Sequence, residues 1–222
     1  MSSTRAPRPE IARSRHQLLD AAERLFEVSG LEFSLNELAH EADLGVATTY
    51  RRFPSHDDVV RAIHVRAHDA FIAIFDQLED APDGWSGVVG YLERAVATNN
   101  AHPIFPAAAR RMARIDPSNT AGAELEPLLN AHVARAQDEG TLRLDVTSVD
   151  LVSLMSQLGV LTVLPEPVRT AMSARQLRIA VAGLRAEAQL WGDLGDVAIE
   201  DMTRLQALAV ESPSSGRLDE GQ

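Results

Sequence analysis

SLNELAHEADLGVATTYRRF, residues 34–53, is the stretch that decides how this chain is read. Ser34 followed three residues later by Glu37 is a capping-box pattern, and it opens a helix carrying Leu35, Leu38, Ala39 and Ala42. Asp43-Leu44-Gly45 makes a tight turn, and a second short helix is expected from about Val46 to Phe53, stopped by Pro54 and Ser55. Ala39 is small where the two helices must approach each other. Two short helices joined by such a turn form the unit whose second helix enters the major groove of DNA.

Working outward, Ile11–Ser29 reads as a helix with Leu18, Leu19, Ala22, Leu25 and Phe26 at helical spacing, closed by Gly30. Its apolar stripe supplies the third member of a small bundle. Downstream, the spacing of apolar residues predicts helices over 56–78, 85–99, 101–115, 124–139, 149–164 and 173–191, with a further short helix over 199–209. The breaks between them are rich in Pro, Gly, Asp and Asn: Ala81-Pro82-Asp83-Gly84, Asp116-Pro117-Ser118-Asn119, Gly140, and Pro165 with Pro167. No stretch alternates as a strand does. The expected fold is all-α: a three-helix helix-turn-helix domain over 10–55, then a larger helical domain over 56–210, with a disordered basic arm at 1–9 and a disordered tail at 211–222.

Composition narrows the function classes. Net charge is −11, awkward for a nucleic-acid binder, but its distribution matters more than its sum. Residues 1–56 hold seven Arg against eight Asp and Glu, so nearly all the acidity lies beyond the first domain. Every basic residue is Arg, and four of them (Arg5, Arg8, Arg13, Arg15) fall in the first fifteen positions. The absence of cysteine excludes disulfides and thiolate metal sites. No apolar run approaches the roughly 18 residues of a membrane span, and MSSTRAPRPEIARSR lacks the apolar segment of a secretory leader. A cytoplasmic protein with no membrane partner is expected.

Residues 15–63 resemble the N-terminal domain of TetR-family regulators. The resemblance rests on Ala21-Ala22, Leu25-Phe26, Gly30, Ser34, Ala39 and Thr48-Thr49-Tyr50-Arg51-Arg52-Phe53, and it covers about a fifth of the chain. It implies a DNA contact set of Ser34, Gly45, Val46, Ala47, Thr48, Tyr50, Arg51, Arg52 and His56. Hydroxyls such as those of Thr48 and Tyr50 are good donors to phosphate. Gly45, Val46 and Ala47, at the base-facing start of the helix, offer only apolar contact, for example with thymine methyls. Three positions depart from the family pattern: Asp43 where Gly is usual, Thr49 where Leu is usual, and His56 where Lys commonly touches phosphate. For Tyr50 a packing role, and for Arg51 and Arg52 a solvated surface, stay open as alternatives.

For the remainder, the resemblance implies a small-molecule effector site among the middle helices and a homodimer formed through 149–164 and 174–190. Those two segments are apolar and carry small residues that allow close packing, as in a four-helix interface. A dimer also places two recognition helices about 34 Å apart, matching a palindromic double-stranded operator. Candidate effector contacts are Phe71, Phe75, Trp85, Tyr91, Asn99, His102, Phe105 and Met112, each of which also suits ordinary core packing. His64 and His68 stand one helical turn apart but lack a third ligand nearby, so no metal and no cofactor is expected. Arg110, Arg111 and Arg114 could attract an anion or simply face solvent. No arrangement for catalysis stands out, so a non-enzyme is expected. The leading expectation is therefore a ligand-responsive, homodimeric transcriptional repressor released from its operator by a small molecule. The alternative is a helical ligand-binding or protein-interaction module without sequence-specific DNA binding.

Overall fold

A computed structural model describes residues 8–119 and 124–187. The helices are α1 (Arg8–Ser29), α2 (Leu35–Glu41), α3 (Val46–Arg52), α4 (His56–Asp76), α5 (Gly84–Ala101), α6 (Ile104–Ile115), α7 (Leu125–Asp138), α8 (Ser148–Leu158) and α9 (Val168–Gly183), with a 3-10 helix over Gly159–Val163 after α8. Among the described residues there is no strand, only an isolated bridge between Leu142 and Arg185.

Local chemistry explains the boundaries. Gly30 ends α1 at φ 63°, a left-handed conformation that costs glycine little, and its N–H donates to the Phe26 carbonyl at 2.9 Å. The expected capping box at Ser34 forms: the Glu37 N–H donates to Ser34 Oγ at 3.2 Å and the Ser34 N–H donates to Glu37 Oε2 at 2.7 Å. These bonds hold the Glu37 carboxyl below its usual range. Ser55 with Asp58 and Thr147 with Asp150 cap α4 and α8 in the same way.

Several expected boundaries move. Helix α1 already begins at Arg8, so Arg8 and Pro9 of the expected arm are helical; a proline in the first helical turn costs nothing, because its missing N–H would be unpaired there. The expected 101–115 helix is divided, since α5 continues to Ala101 and α6 starts after Pro103. The expected 149–164 helix tightens into a 3-10 turn at Gly159, where the Thr162 hydroxyl donates to the Gly159 carbonyl at 2.8 Å. The expected 173–191 helix instead spans Val168–Gly183. It stops because the loop after α7 competes for its backbone: the Arg143 N–H donates to the Leu184 carbonyl, and the Ala186 N–H donates to the Thr141 carbonyl, both at 3.2 Å. The expected helix at 199–209, the tail and residues 1–7 lie outside the described residues.

Two cores result. The first joins Leu18, Ala22, Leu38, Phe53, Val59, Val60 and Ile63 to Ile104, Phe105, Ala108 and Met112 of α6. The second gathers Ile74, Phe75, Val88, Tyr91, Leu92, Leu129, Val133, Leu142, Leu151 and Leu177. Helix α4 runs through both. Its first half packs with the helix-turn-helix, and so does α6, although α6 follows far behind in sequence. In the second core α5 and α7 pack closely: a Cβ on Gly84 would fall 2.2 Å from the Ala136 backbone nitrogen.

Candidate nucleic-acid interface

The turn between α2 and α3 forms at Asp43, with φ 49°; the Leu44 N–H donates to the Ala39 carbonyl at 2.9 Å. Asp tolerates this left-handed conformation better than most residues with a side chain, so the departure from Gly leaves the turn intact. Ala39 and Leu38 are buried beneath it, as the approach of the helices requires. Thr49 and Phe53 anchor α3 from within and are fully buried. The Thr49 hydroxyl oxygen finds no hydrogen-bond partner there, the physical cost of a threonine where an aliphatic side chain would fit.

The outer face of α3 carries Val46, 49% exposed, with Ala47 beside it and Tyr50, 45% exposed, one turn on. The two arginines behave differently. Arg51 is exposed, and its guanidinium donates to Thr48 Oγ1 at 2.8 Å, so the pair projects as one unit. Arg52 turns inward: its Nε donates to Ser14 Oγ at 2.8 Å, and the Ser14 hydroxyl donates to the Ile11 carbonyl at 3.0 Å. Arg52 therefore straps α3 to α1. Arg15 lies over the Phe53 ring at 4.7 Å, placing an α1 cation against the end of α3. The sequence signalled Ser14 and Arg15 only through the cluster of early arginines; their contacts depend on the packing of α1.

Ser34 is exposed at the start of α2, with its hydroxyl already engaged by the cap. His56 is half-buried and packs on Phe33 with ring centroids 5.1 Å apart. Burial, helped by the Arg111 cation nearby, pushes its pKa down and favours the neutral ring. It is a poor substitute for a phosphate-binding ammonium.

The eight residues considered for an effector do not converge on one cavity. Phe105 and Met112 belong to the first core, Phe75 and Tyr91 to the second, where their rings stack at 5.1 Å and burial lifts the Tyr91 hydroxyl to about 12. Phe71 packs against the second core and Asn99 is buried on α5. His102 Nδ1 lies 2.8 Å from Glu23 Oε2 on α1, and its ring stacks on Phe105 at 4.7 Å. Glu23 also pairs with Arg66 of α4 at 3.3 Å, so three helical segments meet at one carboxylate. Trp85 does face open space. It lines a groove of about 720 Å³ between α5 and α9 with Val89, Val96, Leu177 and Val181, and the Arg185 guanidinium covers its ring at 3.9 Å.

Asn119 Nδ2 lies 2.9 Å from His64 Nε2, His68 approaches Glu124 at 3.6 Å, and no group of three suitable ligands occurs among the described residues. No described helix is long and apolar enough to cross a membrane.

Comparison with known proteins agrees with this geometry. Residues 18–63 match the family described as bacterial regulatory proteins, tetR family. An HTH-type transcriptional regulator of Staphylococcus aureus (strain USA300) is 32% identical over 74 residues, which is 33% of this chain and 40% of that protein. The chain thus spans well under half the length of that relative. Among solved structures, a TetR transcriptional regulator from Streptomyces coelicolor superposes with a TM-score of 0.54 at 24% identity, covering 78% of this chain and 99% of the other. A gamma-butyrolactone receptor (ArpA-like protein) gives 0.59 at 16% identity over 90% and 97%. At such identities these likenesses establish the shared fold.

Proposed function

We propose that this chain, whose N-terminal domain belongs to the tetR family of bacterial regulatory proteins, is a homodimeric transcriptional repressor that leaves its DNA operator when a small molecule binds the larger domain. The observation that carries the reading is the outer face of α3. Val46, Ala47, Tyr50 and the Thr48–Arg51 pair project from a helix locked from behind by Thr49, Phe53 and Arg52. A rigid helix with a small exposed face and flanking phosphate donors suits insertion into the major groove. The DNA contacts in this reading are those implied by the resemblance, with Arg52 acting mainly as the strap to α1 and His56 as a neutral ring.

Dimerisation is supported by apolar side chains left in solvent beyond the second core. Val160, Val163, Val168, Met172 and Ile179 are exposed on the 3-10 helix and α9, with Val163 at 72%. Soluble chains seldom leave such a cluster uncovered. It falls within or next to 149–164 and 174–190, of which the part past residue 187 lies outside the described residues. An effector is supported by the α5–α9 groove, whose size and mostly apolar walls suit a small molecule. A structural neighbour named a gamma-butyrolactone receptor supports this reading. A ligand there would touch the helix that also carries part of the apolar cluster. The Glu23–His102 contact links α1 to the α5–α6 junction and offers a route from the larger domain to the DNA-binding helices.

The experiment is a gel shift on the DNA upstream of the chain's own coding region. A sequence-preferring shift is expected, weakened by salt and by Tyr50→Ala or Arg51→Ala. No preference at any salt concentration would overturn the reading.

A further inference from the structure

We infer that α3 reads its half-site chiefly through the 5-methyl groups of pyrimidines, so that the operator places thymine, or 5-methylcytosine, against Val46 and Tyr50. This rests on the DNA-binding reading above and specifies the chemistry that is recognised. Direct readout of the other bases uses particular side chains: a free Arg or Lys for guanine, Asn or Gln for adenine, Asp or Glu for cytosine, or a Ser or Thr hydroxyl, and here the Thr48 hydroxyl already accepts from Arg51. Helix α3, VATTYRR, contains no Lys, Asn, Gln, Asp or Glu. Its two arginines are both engaged, Arg52 with Ser14 on α1 and Arg51 with Thr48 one turn back. The Thr49 hydroxyl is buried. Beside the self-paired Thr48 and Arg51, what the helix presents outward is the isopropyl group of Val46, the methyl of Ala47 and the Tyr50 ring, and Gly45 in front adds no side chain that could intervene.

The apolar group on the base edges of the major groove is the thymine C5-methyl. An exposed valine one turn from an exposed tyrosine makes a shallow apolar surface that loses water on meeting such a methyl and gains nothing from a bare cytosine edge. A cytosine methylated at C5 carries the same group at the same ring position. Readout by this helix therefore extends to the methylation state of the DNA.

The test begins with selection of a binding site from random duplex DNA by the full chain. Each thymine of the selected half-site is then replaced by uracil, which removes the methyl and nothing else. At one or more positions per half-site the replacement is expected to weaken binding about three- to fivefold. At the same positions a 5-methylcytosine–guanine pair is expected to bind more tightly than the unmethylated pair. Val46→Ala should bring the thymine-to-uracil ratio toward one and Val46→Ile should preserve it, with unchanged circular dichroism melts showing that both variants fold. If a site is selected but every uracil replacement stays within about 1.5-fold, methyl readout is wrong and DNA binding stands. The same holds if specificity instead follows a guanine lost with Arg51→Ala. If no site is enriched, both readings fall.

Discussion

The two cores differ in how they are built. The first is assembled from segments far apart in sequence: α1, α2 and α3 close around the first half of α4, and α6, packed chiefly on α4, adds Ile104, Phe105, Ala108 and Met112. The second is a bundle of α5, α7, α8 and α9 on the second half of α4, with α5 and α7 drawn together through glycines. A helix-turn-helix that shares its core with α6 cannot shift independently of the larger domain. Any movement of α5 relative to α6 reaches α1 both through this packing and through the Glu23–His102 contact. The difference teaches that the packing boundary between the two cores runs through α4.

The largest expected effect tests that shared core. Phe105→Ala, a change well outside the helix-turn-helix, should destabilise the first core by about 3–5 kcal/mol. Hydrogen exchange should then quicken in α1–α3 together with α6; exchange confined to α6 would separate the two units. Next comes the second core. Gly84→Ala forces a methyl into the Ala136 backbone and should cost about 1–3 kcal/mol in denaturant unfolding, leaving α3 amides protected if the cores are distinct. A gain is expected at Thr49. Thr49→Val removes a buried hydroxyl without a partner and should raise stability by about 1 kcal/mol while DNA affinity holds, since the residue faces inward.

The smallest effect concerns pH and spans both cores. Burial lowers the pKa of His56, His64 and His132 from the ordinary histidine value of 6.5. The unfolded chain therefore binds more protons than the folded one just below that value. The stability these groups contribute is complete above pH 6.5 and is lost as pH falls toward their depressed folded values. Melting temperature should drop on acidification from about pH 7 to about pH 5, and His56→Phe should reduce the slope. An unchanged slope would mean that His56 exchanges protons freely despite its packing on Phe33.

The candidate interface was legible because its signals are local. Ser34 with Glu37, the turn at Asp43 and the Thr-Thr-Tyr-Arg-Arg-Phe run each act within a few residues, and each stands in the structure where the sequence put it. The effector side was far less legible. Phe105, Met112 and His102 look like any large or mixed residues on middle helices, yet they pack toward the helix-turn-helix side of the molecule. The α5–α9 groove shares only Trp85 with the residues the sequence suggested.

By itself the sequence determined the all-α class, the helix-turn-helix with its caps, and the plain outer surface of α3, because capping, turn chemistry and helical periodicity are short-range. Only the tertiary structure decided that α6 belongs to the first core, that Arg52 is held by Ser14, that His56 packs against Phe33 with its pKa lowered by burial, and that α9 ends at Gly183 where the Thr141–Arg143 loop takes its backbone. Each of these is a contact between residues distant in the chain. Periodicity shows which face of a helix seeks burial; packing alone settles what that face meets.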